Sequence, residues 1–225
     1  MNKQERTAIE AVAKKLSATW EESSSAPDPC IIVNGQRIAV DVVSIKRRPP
    51  LQANAPKPRL RFDKAVTQLM DRLQATSRET VPDGVTVLLA ITSPIRLGTK
   101  TAAVLEGKIQ MLVARGSRQR DETYTIHENR VRIRSVTVEA GRAPKLIGFV
   151  HNPDTDPLLL FTMTRELLGL TSAQAGTRWL VVISSRDSSH LAAYRYIHSQ
   201  LPLATGFQKV LMVFGDGCVG VLGEC

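Results

Sequence analysis

Apolar and polar positions along this chain change period several times, and each change predicts an element. Over residues 2–20 apolar side chains recur every three or four positions (Ile9, Val12, Ala13, Leu16, Trp20), the stripe of one amphipathic helix. The period then shortens. Two runs rich in β-branched residues flank Asn34-Gly35, and that dipeptide predicts a type I′ hairpin because both central residues need positive φ. Counting outward from the turn sets Val33 opposite Gln36, Ile31 opposite Ile38 and Asp28 opposite Asp41. The second strand is apolar on both faces through its middle, as in a strand covered on both sides. Residues 46–58 carry four prolines and four cations and predict an irregular loop.

A helical period returns over 59–74, with Phe62, Val66, Leu69, Met70 and Leu73 inward. Pro82-Asp83-Gly84 turns into VTVLLAIT, a buried strand of parallel-sheet character, and residues 98–115 form a third helix. Strands follow at 124–126, 131–138 and 146–151; Arg130, Arg132 and Arg134 alternate onto one face, either a polyanion-facing stripe or, the favoured reading, the charged side of a sheet edge. Asp156 and Pro157 start a helix to 168. Residues 179–184 are a strand, 188–200 a helix, and 209–214 and 218–222 two strands about Gly215-Asp216-Gly217. The sum is an α/β protein, a central mixed β-sheet flanked by helices. It is read as a single domain over 1–225: a core at about 1–115, a strand-rich elaboration at about 118–151, and a C-terminal α/β segment at about 156–225 whose strands rejoin the hairpin's sheet.

Charge changes this picture. The net charge is +9, and residues 1–120 hold 20 Lys/Arg against 11 Asp/Glu, whereas residues 121–225 hold 10 of each. A basic field around the hairpin suits a polyanion through steering and counterion release; a solvated basic surface explains it equally well. Three cysteines form no CxxC pair and are odd in number, which argues against a disulfide framework or zinc and for a reducing cytoplasm. No apolar run approaches a membrane span, and residues 1–12 lack a signal-peptide core.

The candidate chemistry sits on the hairpin. Asp28 and Asp41, facing each other beside Cys30, Ile32, Ala39 and Val43, need a compensating cation or a proton, which makes them candidate metal ligands. The alternative is that Asp28 caps the strand end in solvent. Glu5 leads the apolar stripe of the first helix and could assist them, although Asn2 and Glu5 also have the spacing of a capping box, the favoured reading. Lys46, Arg47, Arg48, Lys57 and Arg59 form a basic stretch that either tracks a phosphate backbone or is simply a mobile connector. His127, His151, His190 and His198 fall in different elements and read as surface or packing residues. No nucleophile elbow and no phosphate-binding glycine loop appears.

Helix with an acid, Pro-Asp, strand, tight turn, strand with an acid, helix, strand: over residues 1–95 this order resembles the PD-(D/E)xK nuclease-like superfamily. The family's helix acid matches Glu5, its Pro-Asp matches Pro27-Asp28, and its strand acid matches Asp41. The resemblance implies carboxylates holding Mg²⁺ or Mn²⁺ and hydrolysis of DNA phosphodiesters. It also implies a lysine two residues beyond the strand acid, where this chain has Val43. Lys46 faces the other side unless the strand end re-aims it, so Lys64, Arg47 and Arg48 are alternative cations. The family's usual strand between first helix and Pro-Asp has little room in EESSSAP. The expected partner is nucleic acid, DNA before other polyanions, with no membrane, and a homo-oligomer stays open. Two rivals accompany this reading: a non-catalytic nucleic-acid- or protein-binding module on the same scaffold, and a small-molecule enzyme with a closed apolar pocket elsewhere.

Overall fold

A computed structural model describes residues 1–22, 29–45, 58–115, 121–138, 144–170, 178–201 and 207–224. In chain order its elements are α1 (Lys3–Lys15), β1 (Thr19–Glu21), β2 (Cys30–Val33), β3 (Gln36–Ser44), α2 (Lys64–Thr80), β4 (Val85–Thr92), α3 (Gly98–Ala114), β5 (Asp121–Ile126), β6 (Asn129–Thr137), β7 (Leu146–His151), α4 (Pro157–Leu168), β8 (Arg178–Ile183), α5 (Leu191–Gln200), β9 (Phe207–Val213) and β10 (Val219–Glu224). The class is α/β with mixed sheets flanked by helices, as the patterning predicts. The sheets are two, however, and the chain divides into two compact units. No described helix is long and apolar enough to cross a membrane.

The first unit comprises Met1–Pro50, Gly169–Ser199 and Ala204–Cys225. Its six-stranded sheet runs β1-β2-β3-β8-β9-β10. Asn34 and Gly35 have φ of 50° and 79°, the two positive values of a type I′ turn, and the register is the counted one: Val33 pairs with Gln36, Ile31 with Ile38, Cys30 with Ala39. β8 lies parallel to β3, with Asp41 beside Leu180, so the late strands do rejoin the hairpin. α1 covers one face: Ala8, Ile9 and Val12 pack with Ile31, Val40, Val181 and Leu211. α5 covers the other, reaching the sheet at Gly220 and Gly223 of β10.

α1 is shorter than its apolar stripe predicts. Leu16 caps it, Ser17 takes φ of 51°, and the Ala18 amide donates back to the Ala13 carbonyl at 2.9 Å, a left-handed residue closing the last turn. Trp20 therefore belongs to a strand. It still packs against the α1 cluster, which is why helical spacing accommodates it. β1 pairs antiparallel with β2, so a strand does precede the hairpin.

The second unit comprises Leu51–Leu168 and Gln200–Leu203, with a sheet ordered β5-β6-β4-β7. α2 and α3 cover one face, packing Leu69, Leu73, Leu105 and Ile109 on Val87, Leu89, Ile133 and Val150. Two expectations change here. The 85–92 strand belongs to this sheet and not to the hairpin's. β6 is an interior strand, and its arginines are not an edge: Arg132 makes a bidentate pair with Asp121 at 2.7 and 2.9 Å, and Arg134 approaches the same carboxylate at 3.7 Å. α2 starts at Lys64 because Asp63 caps it, accepting from the Val66 amide at 3.0 Å. Residues 59–61 instead lie along β7, the Arg61 amide donating to the Val150 carbonyl at 2.8 Å.

Candidate functional site

Asp41 stands at the sixth position of β3, a strand held between antiparallel β2 and parallel β8. Period-two alternation puts it on one face with Ala39 and Val43. Across the parallel ladder Arg178 pairs with Ala39, one step along the same face, and its Nη2 lies 3.1 Å from Asp41 Oδ1. The two side chains are 22% and 18% exposed, so the ion pair is half-buried and reachable from solvent. Val43 is 38% exposed on the same face. The sheet thus presents a carboxylate, a guanidinium and, where the resemblance implies a lysine, an open valine. Nearer the outer strand Glu21 and Arg37 form a second pair at 2.7 Å.

Glu5 is not part of this group. Its carboxylate accepts from the Asn2 amide at 2.9 Å, the Glu5 amide donates to Asn2 Oδ1 at 2.9 Å, and the capping box is complete. The helix it leads covers the face carrying Ile31 and Val40, opposite to that of Asp41. The physical reason is register: in β3 even-numbered side chains meet α1, and Asp41 is odd. Glu5 therefore does not join Asp41 as a ligand or catalytic group.

Arg59 has an exposed side chain, and its backbone amide donates to Thr155 Oγ1 at 3.3 Å in the second unit. Lys64, exposed, opens α2 of that unit. Asp28, Lys46, Arg47, Arg48 and Lys57 lie outside the described residues. The histidines stay apart. His127 is in the β5–β6 turn, His151 ends β7, His190 precedes α5 and His198 lies on it. Ser184, at the end of β8, accepts from the Arg186 amide at 3.2 Å, and Asp216 accepts from the Ser188 and Cys218 amides at 2.9 and 3.1 Å, bonds that hold its carboxyl below the usual range.

Among the described residues no three His, Cys, Asp or Glu side chains converge as a metal centre. At Asp41 the Arg178 guanidinium stands against the carboxylate, and a divalent cation there would need further oxygen ligands. Arg178 is the residue that pattern reading misses. Its one signal is a cation opening an otherwise apolar strand, RWLVVI, and that gains meaning only once β8 is known to lie beside β3. Comparison with known proteins yields no match: no family model, no curated protein and no solved structure.

Proposed function

We propose that the protein is a divergent nuclease-like protein of the PD-(D/E)xK type that engages nucleic acid, DNA first, at the Asp41 region of its six-stranded sheet. One observation carries the reading: a helix, an antiparallel β1-β2-β3 meander with an acid on its third strand, and a parallel strand beyond that acid. β1 adds support, since it stands where the family usually has a strand. Hydrolysis in Mg²⁺ or Mn²⁺ needs at least a second carboxylate beside Asp41, and Asp28 is the residue that would supply it. Asp41→Asn keeps the shape and removes the charge. The expected result is loss of metal-dependent cleavage of duplex DNA with DNA binding retained; unchanged cleavage would sink the assignment.

A second reading has its own observation. The Arg178 guanidinium, 3.1 Å from Asp41, already supplies the compensating charge that a metal would bring. With Val43 open beside it, the same scaffold suits a non-catalytic nucleic-acid-binding module. That reading expects salt-sensitive DNA binding and no turnover in either ion, so the one assay separates the two.

A further inference from the structure

Among the described residues Phe62 is the most exposed large apolar side chain, at 61%. Helical spacing with Val66, Leu69 and Leu73 turns it inward, but α2 begins only after the Asp63 cap, which leaves Phe62 just outside the helix. A hydrophobic residue at that place ordinarily folds onto the fourth helical residue as a staple. Here the fourth residue is Thr67, exposed, with its hydroxyl donating to the Asp63 carbonyl at 3.2 Å. The ring is thus not the staple of α2.

The backbone around the ring is fixed from both sides. The Arg59 amide donates to Thr155 Oγ1 at 3.3 Å, and the Asn152 amide donates to the Arg59 carbonyl at 3.2 Å. The Arg61 amide donates to the Val150 carbonyl at 2.8 Å, and the Val66 amide to the Asp63 carboxylate at 3.0 Å. A side chain presented on so fixed a segment gives up little further freedom when it is bound.

Cations surround the ring. Residues 59–64, RLRFDK, hold three cations and one acid, and Arg59, Arg61 and Lys64 are all exposed. Arg61 is anchored through Nε, which donates to Asn152 Oδ1 at 3.4 Å, and Ser93 Oγ donates to the same oxygen at 3.5 Å. Among the nearby acids Asp63 is spent on capping α2 and Asp156 on capping α4, while Asp154 is exposed in the loop beyond β7. A plain polyanion would use the cations and leave the ring in water, and an apolar protein surface would cover the ring and desolvate the cations. A nucleotide chain, a flat base joined to a phosphate, satisfies both. Bases in a duplex are already stacked, so the ring favours unpaired ones.

We propose that residues 59–64 form a contact for single-stranded DNA, in which Phe62 stacks on one base and Arg61 meets an adjoining phosphate. The contact rests on the nucleic-acid reading above and adds to it a second surface, on the second unit, with a preference for unpaired strands.

Fluorescence anisotropy of a labelled oligothymidylate with the full chain, in chelator, tests it, with inorganic polyphosphate as the probe that has charge but no bases. Phe62→Leu keeps an apolar side chain and removes the π face. It is expected to weaken oligothymidylate binding at least about fivefold, the lower end of one base–aromatic stack, with polyphosphate binding and the circular dichroism spectrum unchanged. Phe62→Tyr is expected to bind like the parent chain. Arg61→Gln should lower the slope of log affinity against log salt by about 0.7, one phosphate on a single strand. No binding of oligothymidylate, indifference to Phe62→Leu, equal loss in Phe62→Tyr, equal weakening of both probes, or an unchanged slope in Arg61→Gln would overturn the proposal. Cleavage of duplex DNA and its loss in Asp41→Asn test the earlier reading on their own, so the two can fail separately.

Discussion

Asn129 is 1% exposed and ties two loops together from one position. Its Nδ2 donates to the Ile126 carbonyl at 2.8 Å and the Arg96 carbonyl at 3.0 Å, and its Oδ1 accepts from the Arg96 amide at 2.8 Å. Between Ile126 and Asn129 the β5–β6 turn runs through His127 and Glu128 at φ of 46° and 63°, values uncommon outside glycine. The asparagine holds that turn and the segment entering α3. Asn129→Ala leaves a buried carbonyl and amide unpaired, so we expect it to cost about 2–4 kcal/mol, read as a shift in the denaturant midpoint. A change under about 1 kcal/mol would mean that water replaces the bonds. This turn is illegible to pattern reading because His-Glu carries no turn signature; Asn34-Gly35 does, and it gave the hairpin register.

Two histidines set a pH dependence at the same scale. Burial pushes the pKa of His151 below its ordinary value, against a weaker upward pull from the Asn152 carbonyl at 2.8 Å and from Asp156. Burial also lowers that of His198, whose Nε2 is enclosed against β10 without a hydrogen-bond partner among the described residues. In the unfolded chain both take up a proton at about 6.5, in the folded chain only at lower pH. Between those values the unfolded state binds more protons, so stability is full above 6.5 and falls as pH falls through the interval. Thermal unfolding on both sides of pH 6.5 should show this loss, and His151→Gln with His198→Gln should flatten it.

At the scale of elements, the sequence was most informative where one rule decided and least where two overlapped. The hairpin, β4 and α4 follow from turn chemistry and apolar runs, and they appear where expected. α1 and β1 share one apolar stripe because both pack on one cluster, so periodicity passed over the break at Ser17. Docking of α5 was not legible at all, since it depends on what β10 lacks. A Cβ on Gly220 would sit 2.5 and 2.8 Å from the two terminal carbons of Leu191, and one on Gly223 2.4 Å from the His198 ring. The helix rests where side chains are missing. Gly220→Ala should therefore push α5 outward at a cost of about 1–3 kcal/mol, and Gly220→Ala with Leu191→Ala should recover part of that loss. Equal stability of Gly220→Ala and the parent chain would show that Leu191 can step aside freely.

For the whole molecule, chain order was a misleading guide. β4 is the next strand after the hairpin and has the composition of its parallel neighbour, but the strand beside Asp41 is β8, brought in from beyond the second unit. No local pattern records which of two buried strands pairs with a third. The charge divides differently as well. The first unit, which bears Asp41, holds 12 Lys/Arg against 9 Asp/Glu, and the second 18 against 12, so most of the excess belongs to the inserted unit. If Arg47 and Arg48 contact phosphates, replacing both by Gln lowers the slope of log affinity against log salt by about 1.8, at about 0.9 per contact on duplex DNA. We expect that drop together with residual binding, because the positive excess of the second unit is untouched. Fluorescence anisotropy of a labelled duplex over a salt series measures both quantities. An unchanged slope would move the phosphate contacts away from this stretch, and complete loss of binding would place them all on it.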